Sequence, residues 1–110
     1  MSAPNSNLPW SEQFRIVAKE WVDLDKAATM LEETKTLVLS QKIKAQGDIP
    51  HNRAEAEVKA SPEWHDYVTR LVEARSAANL KKVQMEYLRM KFQEWSSENA
   101  SRRAEMRLTA

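Results

Sequence analysis

The sequence predicts an all-α protein, a long antiparallel two-helix hairpin of coiled-coil type that self-associates into a helical bundle. Three observations predict it. The 110 residues hold one glycine and four prolines, and these breakers interrupt the chain at only three places. Between the interruptions, apolar residues recur in steps of three and four, the period of a helical face. Finally, a second set of apolar residues is left over once the first face has been used.

The opening residues 1–10, with Pro4, Pro9 and small polar side chains, read as a flexible tail. Ser11 is the expected N-cap of a first helix over residues 11–46. Trp10, just before it, is placed to pack on Phe14 as a hydrophobic staple. Gly47 sits where a C-cap glycine belongs, because a residue without Cβ reaches positive φ freely. Residues 47–61 form the connection, with room for a short helix from Arg53 to Ala60. Ser61 then caps a second helix over 62–107, with Pro62 at its first position. Its Ala, Glu, Lys, Arg, Leu and Met content suits one long helix. Helices of about 36 and 46 residues would be about 54 and 69 Å long, and together they make one domain.

Both helices carry a seven-residue repeat. In the second, Trp64, Tyr67, Leu71, Ala74, Ala78, Lys81, Met85, Leu88, Phe92 and Trp95 share a seam. In the first, Phe14, Val17, Trp21, Leu24, Ala28, Leu31, Lys35, Val38, Lys42 and Ala45 do so. A register whose opposed residue numbers total about 109 sets large against small. It pairs Trp21 with Leu88, Val17 with Phe92, Leu24 with Met85, Leu31 with Ala78 and Phe14 with Trp95. Lys35 then faces Ala74 and Lys81 faces Ala28, each with its stem over an alanine and its ammonium in water. Three opposite-charge pairs agree with that register: Asp25 with Lys82, Glu32 with Arg75 and Glu20 with Lys91.

The residue set left over defines an expected self-association face. Leu80, Val83, Tyr87 and Met90 step by three, four and three on the second helix, away from the seam. Ile16, Met30 and Leu37 lie on the first helix, with Val22 and Ile43 nearby. A monomeric hairpin cannot bury these, and soluble monomers seldom expose large contiguous apolar patches. The expected partner is therefore the chain itself, as a homodimer or a higher assembly. The competing expectation is that the 53–60 segment folds back over part of the face.

Catalytic chemistry is sparsely provided for. There is no cysteine, which removes disulfides, thiolate metal sites and thiol nucleophiles and points to a reducing, cytoplasmic setting. His51 and His65 stand in no ligand spacing and read as solvated side chains. The serines lack a nucleophile elbow, and the carboxylates lack a concave site to shift their pKa. We expect no enzyme activity, no metal and no cofactor. No apolar run approaches the roughly 18–20 residues of a membrane span, and Met1–Pro9 has no signal-peptide core, so no membrane partner is expected.

Seventeen Lys and Arg nearly balance sixteen Asp and Glu, for a formal net charge of +1, so no whole-chain field draws nucleic acid. Locally, Arg75, Lys82, Arg89 and Arg103 share one heptad position. The line reads either as a solvated salt-bridge edge or as a track for a phosphate backbone. Lys42, Lys44, Arg89, Arg102, Arg103 and Arg107 are the candidate nucleic-acid contacts. Trp21, Trp64 and Trp95 are expected to pack in the seam, leaving Trp10 as the one aromatic free for contact.

The closing half carries a resemblance. Ser61-Pro62-Glu63, the run Val83-Gln84-Met85-Glu86-Tyr87-Leu88-Arg89 and the ending from Ala100 to Leu108 resemble small phage and prophage helical proteins. Those are loosely similar in layout to phage recombination mediator proteins. The resemblance implies an oligomeric accessory factor that binds single-stranded DNA and works with a recombination protein, and of its DNA contacts we carry over Arg102 and Arg103. Two functional expectations follow: a non-enzymatic interaction and assembly module, and, as the alternative, this DNA-binding accessory factor.

Overall fold

A computed structural model describes residues 7–109. Three helices account for nearly all of them: α1 (Trp10–Lys44), α2 (His51–Lys59) and α3 (Pro62–Thr109). There is no strand among the described residues, and the fold is an all-α antiparallel hairpin in which long α3 returns along α1. Of the expected tail over 1–10, residues 1–6 lie outside the described residues.

The helix ends show how the backbone groups are satisfied. At the start of α1, the Pro9 carbonyl accepts from the amides of Glu12 and Gln13, both at 3.0 Å. Gln13 Nε2 donates back to the Leu8 carbonyl at 2.8 Å, which explains why this amide is buried. The cap therefore precedes Ser11, which lies exposed inside the first turn and is not the N-cap the sequence led us to expect. At the other end, Gly47 has φ 87°, and its amide donates to the Lys44 carbonyl at 3.3 Å. A Cβ there would meet nothing within 4 Å, so it is the left-handed backbone, not space, that calls for glycine. Between α2 and α3, Ser61 Oγ donates to the Val58 carbonyl at 2.6 Å and accepts from the Trp64 amide at 3.2 Å. Serine thus caps α3, and Pro62 occupies its first position, where no amide is missed.

The sequence reads as one domain; the chain packs as two compact units, Val22–Asn79 and the combination of Met1–Trp21 with Leu80–Ala110. In Val22–Asn79, a core of Val58, Trp64 and Tyr67 is packed by Leu31, Val38, Leu39, Ile43, Val68 and Leu71. The rings of Trp64 and Tyr67 stack with centroids 5.5 Å apart and 14° between planes. The buried Tyr67 hydroxyl donates to the Leu31 carbonyl at 2.7 Å and lies 3.1 Å from Thr34 Oγ1, so its polar end is satisfied. α2 presents Ala54 and Val58 inward. Ile43, assigned by sequence to the neighbourhood of the outer face, instead packs on this core.

Arg75 closes the same unit on its polar side. Its guanidinium donates to Asp25 Oδ1 at 2.6 Å, to both Glu32 carboxylate oxygens at 3.0 and 2.6 Å, and to Thr29 Oγ1 at 3.2 Å. The expected pair with Glu32 is present. Asp25, assigned to Lys82, goes to Arg75 instead, because one planar fork reaches two carboxylates a heptad apart on the same face of α1. Those hydrogen bonds hold the Glu32 carboxyl below its ordinary value of 4.5. A carboxyl lowered on folding adds stability above its unfolded value and loses it as pH falls through the folded one. We expect Arg75→Gln to lower the thermal midpoint near neutral pH, with the gap to the parent chain shrinking below about pH 4. A gap independent of pH from 7 to 3 would contradict this account.

In the other unit, residues 10–21 of α1 lie along residues 80–95 of α3. Val17 and Leu88 are buried, and Phe14 shares one hollow with Leu88 and Phe92. Opposed numbers here total about 102, as for Phe14 with Leu88 and Trp10 with Phe92. That is one heptad less than the register read from sequence, so Leu88 faces Phe14 and not Trp21. The ion pair between Lys81 and Glu20, whose numbers total 101, fits this setting. Lys81 is not a snorkelling lysine: only 4% of it is exposed. Glu20 is thus not the partner of Lys91, which pairs with Glu94 of its own helix at 3.5 Å.

Candidate functional site

With α1 on one side of residues 80–95, the stripe lies on the other. At 100° per residue its centre is roughly 150° around α3 from the seam. Leu80, Val83, Tyr87 and Met90 are 45%, 60%, 53% and 56% exposed. These are large apolar side chains in contiguous turns. α2 packs within Val22–Asn79. Of the α1 residues expected with them, Ile16 is half-buried in this unit, while Met30, Leu37 and Val22 are exposed in Val22–Asn79.

Charged residues border the stripe. Lys91 Nζ lies 5.8 Å from the Tyr87 ring centroid, a cation–π approach at the outer limit of useful range. Glu86 is exposed and has no ion-pair partner among the described residues. Below Met90, the surface turns polar with Gln93, Glu94, Ser97 and Glu98.

At the seam end, aromatic residues expected in the core are open. Phe92 and Trp95 stack with centroids 6.1 Å apart and are about half exposed. The slipped register accounts for it: Phe92 meets only the start of α1 at Trp10, and Trp95 meets Leu8, Pro9, Trp10 and Gln13, too little to bury either ring. Trp10, expected to be the free aromatic, is half-buried. With Phe14, Leu88, Phe92, Ser11 and Arg89 it lines a hollow of about 310 Å³. Trp64 is the one buried tryptophan.

The candidate phosphate contacts are divided between the two units. Lys42 and Lys44 belong to Val22–Asn79 and Arg89, Arg102, Arg103 and Arg107 to the other unit. Arg102, Arg103 and Arg107 are exposed, and Glu98 and Glu105 are interleaved with them. Arg75, at the head of the heptad line, is committed to Asp25 and Glu32. His51 lies 3.6 Å from Glu55 on one exposed face, and His65 is exposed. No group of three or more metal-ligand side chains occurs among the described residues, and no described helix is long and apolar enough to cross a membrane.

Sequence reasoning missed Val72, Met106 and Leu108, which are also exposed. Leu108 repeats the heptad position of Leu80 and Tyr87, whereas Met106 repeats that of the seam residues Met85 and Phe92. Fold and site together define a class: an all-α antiparallel hairpin with an uncovered apolar stripe on its longer helix. Comparison with protein-family models, with curated proteins and with solved structures finds no match for this chain.

Proposed function

We propose that the protein is a non-enzymatic, self-associating helical hairpin that serves as an interaction and assembly module. The observation that carries this reading is the stripe Leu80, Val83, Tyr87 and Met90, each about half exposed on consecutive turns of one helix. Burying such a stripe is favourable by about 25 cal/mol per Å² removed from water, and a second amphipathic helix face is the natural cover. Nothing in the rest of the unit competes for it, since α1 occupies the opposite side of α3.

Solution mass tests the reading directly. The parent chain is expected to scatter as a dimer or higher assembly at micromolar concentration. The double variant Val83→Glu with Tyr87→Glu should scatter as a monomer with unchanged helical circular dichroism, because both side chains lie outside the seam. A parent chain that is already monomeric would sink the proposal. So would a variant that keeps the parent mass.

A further inference from the structure

The borders of the stripe say how a second copy would sit on it. Leu80 and Tyr87 occupy one heptad position, and Val83 and Met90 the other, three residues on. Glu86 immediately precedes Tyr87 and borders the stripe on one side, with Asn79 a heptad before it. Lys91 immediately follows Met90 and borders the other side, with Gln84 a heptad before it. In a parallel two-stranded pairing, the residue before the first core position meets the residue five later on the partner helix. Glu86 then meets Lys91, once on each side of the two-fold axis. In an antiparallel pairing centred on the stripe, like borders meet like. Glu86 would face Glu86 near the axis, and Lys91 would face only the uncharged Ala77.

We propose that the occupant of the stripe is a second copy of this chain, docked parallel with α3 on α3, so that Glu86 of each copy pairs with Lys91 of the other. The proposal rests on the self-association reading above and adds the orientation and the contacts. Glu86 brings a carboxylate that has no ion-pair partner among the described residues. Lys91 is held only by an exposed contact to Glu94 at 3.5 Å and by its distant approach to the Tyr87 ring. The parallel arrangement also stacks Tyr87 beside its own copy at the centre of the patch. The pairing stops after Met90, because the next residue on the stripe, Glu94, would face itself. The interface is therefore about three turns long, and the two helices diverge beyond it.

The absence of native cysteine makes cross-linking a clean test of orientation. Leu80→Cys and Met90→Cys are made separately in the full chain and equilibrated in a glutathione redox buffer. In the parallel pairing each variant meets itself within disulfide reach, so each alone forms a covalent dimer, and mixing them yields little of the hybrid. In the antiparallel pairing, identical cysteines stand about 15 Å apart along the helices, so only the mixture cross-links. That result overturns the proposal. Failure of all three samples while the parent mass remains dimeric overturns it too, and leaves self-association through another face. A monomeric parent chain defeats the underlying reading instead. Charge exchange gives an independent check. Glu86→Lys should weaken the dimer about tenfold, and adding Lys91→Glu should restore it. No recovery in the double variant would remove the charge pairing from which the orientation is inferred.

Discussion

Trp64→Ala is expected to destabilise the chain by about 3–5 kcal/mol, the cost of deleting a large buried aromatic. Two features place it at the upper end of ordinary core substitutions. Trp64 is buried, and it stacks on Tyr67 at 5.5 Å, an arrangement that adds to simple area burial. A cavity there weakens the unit in which α2 docks, since Val58 of α2 belongs to the same cluster. The thermal midpoint should fall by more than about 10 °C at fixed protein concentration. Hydrogen exchange should accelerate through α2 in particular. By contrast, Trp95→Ala, at a half-exposed tryptophan on the same helix, should cost about 1 kcal/mol or less. Equal costs at the two positions would show that the cluster around Trp64 is not the core of its unit.

That contrast marks the boundary of what the residues reveal by themselves. Helix class and the positions of the breaks were legible, because Gly47, Pro50 and Ser61-Pro62 act through local backbone geometry. Each acts within a few residues and needs no partner. The seam, as a pattern, was legible for the same reason. Its register was not. A heptad repeat maps onto itself when slipped by seven residues, so Phe14 fits Trp95 in one setting and Leu88 in the next. The surface charges offered to decide between them, such as Glu20 with Lys91, are worth too little to do so. With that setting go the half-exposure of Phe92 and Trp95 and the burial of Lys81 beside Glu20. The outer stripe was legible as spacing, because Leu80, Val83, Tyr87 and Met90 fall on a single face whichever register holds. Its exposure is read only from the structure, where each of the four side chains is about half exposed.

Lys81 shows what decides between two nearly degenerate settings. Glu20→Ala should destabilise the chain by about 2–4 kcal/mol, because it leaves a buried ammonium without its counter-charge. The partial exposure of Glu20 keeps the loss below that of a fully enclosed pair. Lys81→Met should change stability by less than about 1 kcal/mol in either direction, since an apolar chain of similar length fills the same space with no desolvation cost. Glu20→Ala in the Lys81→Met background should then recover most of the loss, which urea unfolding of the four chains can measure as a double-mutant cycle. Register is where Lys81→Met should have its effect. Without the buried pair, nothing penalises the setting one heptad away, in which Glu20 gains Lys91 and Phe14 covers Trp95. Cysteines introduced at Phe14 and Leu88 should cross-link readily in the parent chain, and those at Phe14 and Trp95 should not. In the Lys81→Met background the second pair should begin to close as well. If the two backgrounds cross-link alike, Lys81 and Glu20 do not select the register, and the packing of Val17 and Leu88 must hold it unaided.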